Sequence, residues 1–338
     1  MQIAVVGAGS WGTAVSWLLA TKGIQVSLWA RESSVAAGIN ESHRNPDYLS
    51  DIILPSKVTA FSDIEVCLSG AEMVVVVTPS HAVRDVCVLM KPYLDADIPI
   101  INLSKGVEEG SMMRMTQVIE DVLGNRTRLA ALSGPNHAEE VSRGVPSATV
   151  IAAYDEEVGK LFQETFMAPM FRVYTNPDVV GVELAGASKN VIAIAAGMSD
   201  GLGYGDNTKA TVMTRGLAEM SRLGHHLGAN PLTYMGLAGM GDLIATCTSK
   251  HSRNRALGEW IARGGSMQGY ASSTHMVAEG ARSAISVLQL GESVGAELPI
   301  TAQVHGVLYD GFPLSEAGRD LMGRCARDEI TGMGLIDD

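Results

Sequence analysis

The sequence predicts an α/β N-terminal half built on a doubly wound sheet, followed by an all-α C-terminal half. Three observations carry this. Short β-branched runs alternate with helical stretches as far as Asn176-Pro177-Asp178, a glycine hexamer follows the first run, and no strand pattern follows Val179. Alternation of that kind builds a parallel sheet with crossover helices. The expected division is 1–178, 179–332 and a loose tail at 333–338.

The predicted strands are Ile3–Val6, Gln25–Trp29, Met73–Thr78, Ile98–Leu103, Leu129–Leu132, Ala148–Ala152 and Phe171–Tyr174. Met73-Val74-Val75-Val76-Val77 is apolar on both faces, as a central strand covered by helices requires. Helices are expected at Thr13 to about Lys22, His81–Leu94 and Met112–Leu123. Beyond Val179 the chain is rich in Ala, Gly, Met and Leu at helical spacing, with Gly197, Gly201, Gly203 and Gly205 breaking a long helical stretch near Asp200.

The 338 residues suffice for two cores, and 46% of them are apolar against 18% charged. A net charge of −12 argues against a nucleic-acid surface and requires any phosphate site to concentrate the few cations. The scattered Cys67, Cys87, Cys247 and Cys325 suggest neither disulfides nor a zinc cluster, so no metal is expected and a reducing cytoplasm fits. No basic leader opens the chain, and no apolar run approaches the roughly 18 residues that would insert into a membrane.

Gly7-Ala8-Gly9-Ser10-Trp11-Gly12 matches G-x-G-x-x-G between a predicted strand and a predicted helix. In that context Gly7 permits the tight turn, Gly9 the approach of a pyrophosphate, and Gly12 close helix–strand packing. The helix start supplies N–H groups and a favourable dipole. After the second strand stands Arg31, which suits the 2′-phosphate of NADP, followed by Glu32, which suits the ribose of NAD. NADP is favoured and NAD stays open.

Three further groups interrupt otherwise apolar sequence. Lys105, in Ser104-Lys105-Gly106, follows a strand, which points it towards the crevice at the strand ends or leaves it a solvated lysine. In Gly134-Pro135-Asn136-His137-Ala138-Glu139-Glu140, Asn136 with Glu139 reads as an N-cap arrangement, which is also a small anion site, and His137 reads as surface or packing. Lys189 and Asn190 break an apolar helix. Burial, and a second cation such as Lys105 nearby, lower a lysine's pKa and make it a competent acid or base. Downstream, Gly239-Met240-Gly241-Asp242, Thr246 and His251-Ser252-Arg253-Asn254-Arg255 supply a carboxylate and a phosphate-suited cluster. Each of these also reads as a helix cap or salt bridge.

On these ordered motifs, and on Ser199-Asp200-Gly201-Leu202-Gly203 and Glu297-Leu298-Pro299-Ile300-Thr301, the chain resembles the bacterial NAD(P)-dependent glycerol-3-phosphate dehydrogenase family along its whole length. The resemblance implies a Rossmann-type domain and a helical domain like the C-terminal domain of 6-phosphogluconate dehydrogenases. It implies reduction of dihydroxyacetone phosphate to sn-glycerol 3-phosphate, a glycerophospholipid precursor, with Lys189 as acid or base. Lys105 and Asn190 would stabilise the reacting oxygen. Substrate would be lined by Lys105, Gly134, Asn136, Asp242, Ser252, Arg253 and Asn254, with Asn190 and Thr246 in support. The cofactor would touch Ser10, Trp11, Arg31, Lys105, Ala138, Arg253, Val277 and Glu279, with Tyr48 towards the adenine. A homodimer is implied in the same way. Glu32 and Asn136 depart from the family pattern, the first clouding the NADP preference. The rival readings are another β-hydroxyacid-type dehydrogenase and a non-catalytic nicotinamide-binding regulator.

Overall fold

A computed structural model describes residues 1–124, 128–273, 278–326, 328–330 and 333. The chain forms two compact units, Met1–Ser104 with Met115–Val179, and Lys105–Arg114 with Val180–Asp338.

The first unit is built on strands β1 (Gln2–Val6), β2 (Gln25–Trp29), β3 (Val58–Phe61), β4 (Met73–Val76), β5 (Ile100–Asn102), β6 (Leu129–Ser133), β7 (Ser147–Ala153) and β8 (Phe171–Asn176). They make one eight-stranded sheet in the order β3-β2-β1-β4-β5-β6-β7-β8. The order reverses between β1 and β4, the place where open α/β sheets take ligands. Val6 lies opposite both Trp29 and Val76, so the segments leaving β1, β2 and β4 emerge level with one another.

The expected all-parallel pairing fails once, because β6 and β7 run antiparallel. The link between them holds only the four-residue helix Ala138–Val141, too little to carry the chain back for a parallel return. Strand β3 went unread in the sequence. It is a four-residue edge strand in which only Val58 and Ala60 are buried, too short an alternation to stand out. Helices lie at Ser10–Thr21, Val83–Met90 and Met115–Leu123. The last starts later than expected, because Met112 sits at φ +58 in a turn.

Apart from Lys105–Arg114, the regular elements of the second unit are helices among its described residues. Its central helix, Val179–Gly201, continues through Gly197, contrary to the break expected there. A Cβ at 197 would lie 1.9 Å from the Arg255 carbonyl oxygen, so this glycine lets the helix Arg253–Ala262 approach. The chain turns only at Gly203, with φ +75, before the helix Asp206–His226. By length and composition the central helix could cross a membrane, which the sequence reading did not foresee, but 89% of its apolar window is buried inside the protein.

Two boundaries also move. The segment Lys105–Arg114 belongs to the helical unit, although it follows β5 directly. Val107 is buried in a cluster with Leu184, Ala187 and Leu223. Arg114 pairs with Glu183 at 2.5 Å. Met333, placed in the expected tail, is 8% exposed, and its carbonyl accepts the Ser221 hydroxyl at 3.0 Å. Residues 334–338 lie outside the described residues.

Candidate active site

In the first unit the glycine loop joins β1 to the helix Ser10–Thr21. Gly7 adopts φ +126, and a Cβ there would stand 2.8 Å from the Val77 carbonyl oxygen. A Cβ at Gly12 would stand 1.8 Å from the Gly7 carbonyl oxygen. Both glycines are therefore demanded by the fold. Gly9 is different. Its φ is −72, open to any residue, and a Cβ there meets nothing within 4 Å. Among the described residues nothing requires that glycine, and the space beside it would admit a ligand to the backbone.

The helix start fits such a ligand. Gly9 is its N-cap and offers no side-chain cap, so the first N–H groups are left to other acceptors. The buried Ser10 hydroxyl has no partner among the described residues. Trp11 packs half-buried against the core. These groups suit a pyrophosphate at a helix N-terminus. Buried Thr78 Oγ1, Ser133 Oγ and Asn136 Oδ1 likewise lack partners among the described residues, and all follow or end a sheet strand. Thr78 and Ser133 were not singled out in the sequence, although both stood inside or beside segments that were.

Asn45 was missed altogether. Its side chain is fully buried. Nδ2 donates to the Ala8 carbonyl and to Thr13 Oγ1, both at 2.8 Å, and Oδ1 accepts the N–H groups of Asp47 and Tyr48 at 3.1 Å. This one amide ties the segment bearing half-buried Tyr48 to the glycine loop. The Asn45-Pro46-Asp47 turn chemistry was its only sequence signal. Arg31 is exposed, and its Nε and Nη2 both donate to Glu32 Oε1, at 2.8 and 2.6 Å.

The expected cap at Asn136 is not formed. His137 is the N-cap of Ala138–Val141, while Asn136 Nδ2 donates to the Ala148 carbonyl at 3.0 Å. Gly134, at φ +149, is required by packing, since a Cβ would meet Thr149 Cα at 3.0 Å. Ala138 is buried at the helix start.

In the second unit Lys189 lies on the central helix, 6% exposed. Its Nζ donates to Asp242 Oδ1 at 2.7 Å and to Thr246 Oγ1 at 2.6 Å. Lys105 Nζ donates to the other oxygen of the same carboxylate, Asp242 Oδ2, at 2.6 Å. Asp242 is thus shared by two ammonium groups. Its delivery has a local cause that the sequence did not disclose. Gly241 N–H donates to the Gly236 carbonyl at 3.1 Å, five residues back, a widened turn of the kind that re-aims side chains at functional sites. A Cβ at Gly239 would stand 2.1 Å from the Tyr234 carbonyl oxygen, so the turn needs glycine.

Burial pulls the Lys189 ammonium down to about 8, against the pull of Asp242 and with the help of Lys105. Burial also pushes the Asp242 carboxyl up, but the two ammonium groups outweigh it and hold the group below the ordinary carboxylate range. The result is a salt-bridged lysine able to give or take a proton near neutral pH.

The expected phosphate cluster is divided in use. Ser252 Oγ caps the helix Arg253–Ala262 by accepting Arg255 N–H. Asn254 Nδ2 donates to Asn190 Oδ1 at 2.9 Å, and Asn254 Oδ1 accepts Gly280 N–H at 2.9 Å. The Asn254 amide and Asn190 Oδ1 are thus engaged in joining helices, while Asn190 Nδ2 donates within its own helix to the Gly186 carbonyl at 3.4 Å. Arg253 is exposed at the helix start, with no ion pair among the described residues. Glu279 opens the helix Glu279–Val294. Val277 lies outside the described residues. Among the described residues no group of three or more His, Cys, Asp or Glu has metal-holding geometry.

A helix start without a side-chain cap where strand order reverses suits a dinucleotide, and a buried lysine whose pKa is lowered suits proton transfer; together they point to the class of nicotinamide-dependent oxidoreductases. Residues 2–159 match the N-terminus, and residues 178–319 the C-terminus, of NAD-dependent glycerol-3-phosphate dehydrogenase. The chain belongs to that family. It is 48% identical over 336 residues to the glycerol-3-phosphate dehydrogenase (NAD(P)+) of Pelotomaculum thermopropionicum, covering 99% of this chain and 96% of the relative. The corresponding enzyme of Corynebacterium jeikeium is 47% identical over 331 residues, covering 97% of this chain and all of the relative. Among solved structures, glycerol-3-phosphate dehydrogenase of Coxiella burnetii superposes with a TM-score of 0.92 at 37% identity, covering 96% of this chain and 99% of that one.

Proposed function

We propose that the chain interconverts dihydroxyacetone phosphate and sn-glycerol 3-phosphate with a nicotinamide cofactor, and that Lys189 moves the proton. The observation that carries the reading is the buried Lys189 ammonium, held by Asp242 and Thr246 and brought to about 8. The bound nicotinamide supplies or accepts the hydride. In the reducing direction Lys189 gives its proton to the ketone oxygen as that oxygen gains charge. Lys105 adds a second positive charge near the same carboxylate, and preorganised donors of this kind are typically worth about 3–4 kcal/mol each. Arg253, exposed at a helix start, attracts the substrate phosphate. Asn190 and Asn254 act by fixing that helix start against the helix of Lys189.

The glycine loop, Ser10 and Trp11 hold the dinucleotide, with Tyr48 on its adenine side. Arg31 favours NADPH, although it must leave Glu32 to meet a 2′-phosphate. The buried thiols of Cys67, Cys87 and Cys247 suit a reducing cytoplasm. The family likeness supports a homodimer, which sedimentation of the purified protein checks. Initial rates on dihydroxyacetone phosphate with NADPH and with NADH, followed by absorbance, test the central reading. Consumption of neither cofactor would sink it, and a faster rate with NADH would reverse the cofactor preference.

A further inference from the structure

The segment Lys105–Arg114 is a small hairpin. Val107 and Arg114 face each other as an isolated bridge, and Glu108 N–H donates to the Met113 carbonyl at 2.9 Å. Lys105 stands at one end and Arg114 closes the other, so whatever fixes Arg114 also fixes where Lys105 begins. Arg114 Nη1 donates to Glu183 Oε2 at 2.5 Å, with side chains only 11% and 4% exposed. Glu183 lies on the same helix as Lys189. Val107 is buried against Leu184 and Ala187 of that helix, and Glu109 reaches Arg282 at 3.1 Å in a more exposed pair.

We propose that Arg114 and Glu183 are positioning residues whose buried ion pair clasps the hairpin to the helix of Lys189, so that Lys105 reaches Asp242. The inference rests on the proton-transfer reading above. A buried pair contributes little net stability compared with apolar replacements, but it fixes which segments lie together. Lysine needs such help. Its ammonium rides on a flexible four-carbon stem, and the Lys105 side chain is 20% exposed, so a loosened hairpin frees it to return to water.

The groups facing Lys189 make the consequence readable. Asp242 and Thr246 face it from the helix Asp242–Thr248, and Lys105 faces it from the hairpin. Cys247 also faces it, but burial pushes this thiol up to about 12 and leaves it uncharged. Lys105 is the one of these groups whose charge opposes protonation of Lys189, and it also neutralises part of Asp242. Withdrawing it raises the pH at which Lys189 gives up its proton.

The test uses the full chain carrying Glu183→Gln, with Arg114→Lys as the conservative partner. Amine-reactive labelling, read by peptide mass spectrometry against the exposed Lys160, should rise several-fold at Lys105 in Glu183→Gln. Arg114→Lys, which keeps the charge and loses the fork, should show a smaller rise. The pH at half-maximal kcat for reduction should move up by about one unit in Glu183→Gln. Adding Glu183→Gln to Lys105→Met should move it no further. Wild-type labelling of Lys105 in a folded variant overturns the proposal. So does an equal extra shift in the Lys105→Met background, or a lowered Tm with an unmoved pH profile. Labelling needs no turnover. An inactive wild type would therefore remove the functional reading, while Lys105 exposure would still decide the clasp.

Discussion

At the glycine loop the fold leaves polar groups unclaimed, whereas around Lys189 it claims them. Among the described residues the Ser10 hydroxyl has no partner, and the first N–H groups of its helix receive no side-chain cap. Both oxygens of Asp242, the Thr246 hydroxyl and the Lys189 ammonium are bonded to one another or to Lys105. The first arrangement is what a ligand-binding surface needs, since a bound anion replaces water at little cost to the protein. The second is what a proton-transfer group needs. There the charges are already organised, and the acidity of Lys189 follows from burial set against its neighbours rather than from the ligand.

The sharpest way to break this comparison is to remove the amine. Lys189→Ala should lower kcat by about two to four decades while leaving cofactor binding, measured by fluorescence titration, near wild type. Turnover close to wild type would remove Lys189 from the chemistry. In the intact enzyme the sign of the pH dependence follows from its role. The acid form serves reduction, so that rate should fall as pH rises through about 8, while the rate of oxidation should climb over the same interval.

The loop offers a second, smaller test. A Cβ at Gly9 meets nothing, so Gly9→Ala should keep its Tm within a degree or two yet raise the KM for the nicotinamide cofactor roughly tenfold, about 1.4 kcal/mol of lost binding. Gly12→Ala forces a methyl to 1.8 Å from a carbonyl oxygen and should cost about 1–3 kcal/mol of stability before any ligand is added. If both variants lost stability equally, the claim that the fold demands Gly12 but not Gly9 would be wrong.

The smallest effect concerns a buried acid outside the proposed chemistry. Glu219 accepts the N–H groups of Ile300 and Thr301 and the Thr301 hydroxyl at the start of the helix Pro299–Tyr309. Burial pushes its carboxyl up to about 7, despite those bonds and Arg222. The folded protein then holds a proton that the unfolded chain releases between about 4.5 and 7, so this group lowers stability as pH rises through that window. Glu219→Gln should flatten the pH dependence of Tm there. An unchanged slope would assign it to other groups.

The two regions also differed in how much of them the sequence disclosed. The loop is local, with strand, glycines and helix contiguous, so G-x-G-x-x-G in its context carried most of the geometry. Lys189 was visible as a charge on an apolar helix, and Asp242 and Thr246 as polar residues at helix-compatible positions. Their junction was not visible, because it depends on a widened turn at Gly236–Gly241 and on a hairpin that leaves β5 for the other unit. Asn254 and Asn190 looked like substrate donors because sequence shows which groups a residue owns and hides which neighbours use them. Strand β3 escaped because four residues at a sheet edge bury too little to set a pattern.

The path of the backbone has a consequence for how the two halves can be parted. The chain passes from one unit to the other after Ser104, again after Arg114 and a third time after Val179. A fragment ending at Val179 would carry the hairpin without Glu183, Leu184 or Ala187, and so would strip Val107 of its packing and Arg114 of its Glu183 partner. A fragment beginning there would lack Lys105. Neither piece is a self-sufficient cassette, and a single crossover between relatives that exchanged one half alone would have to supply a matching clasp from the other parent.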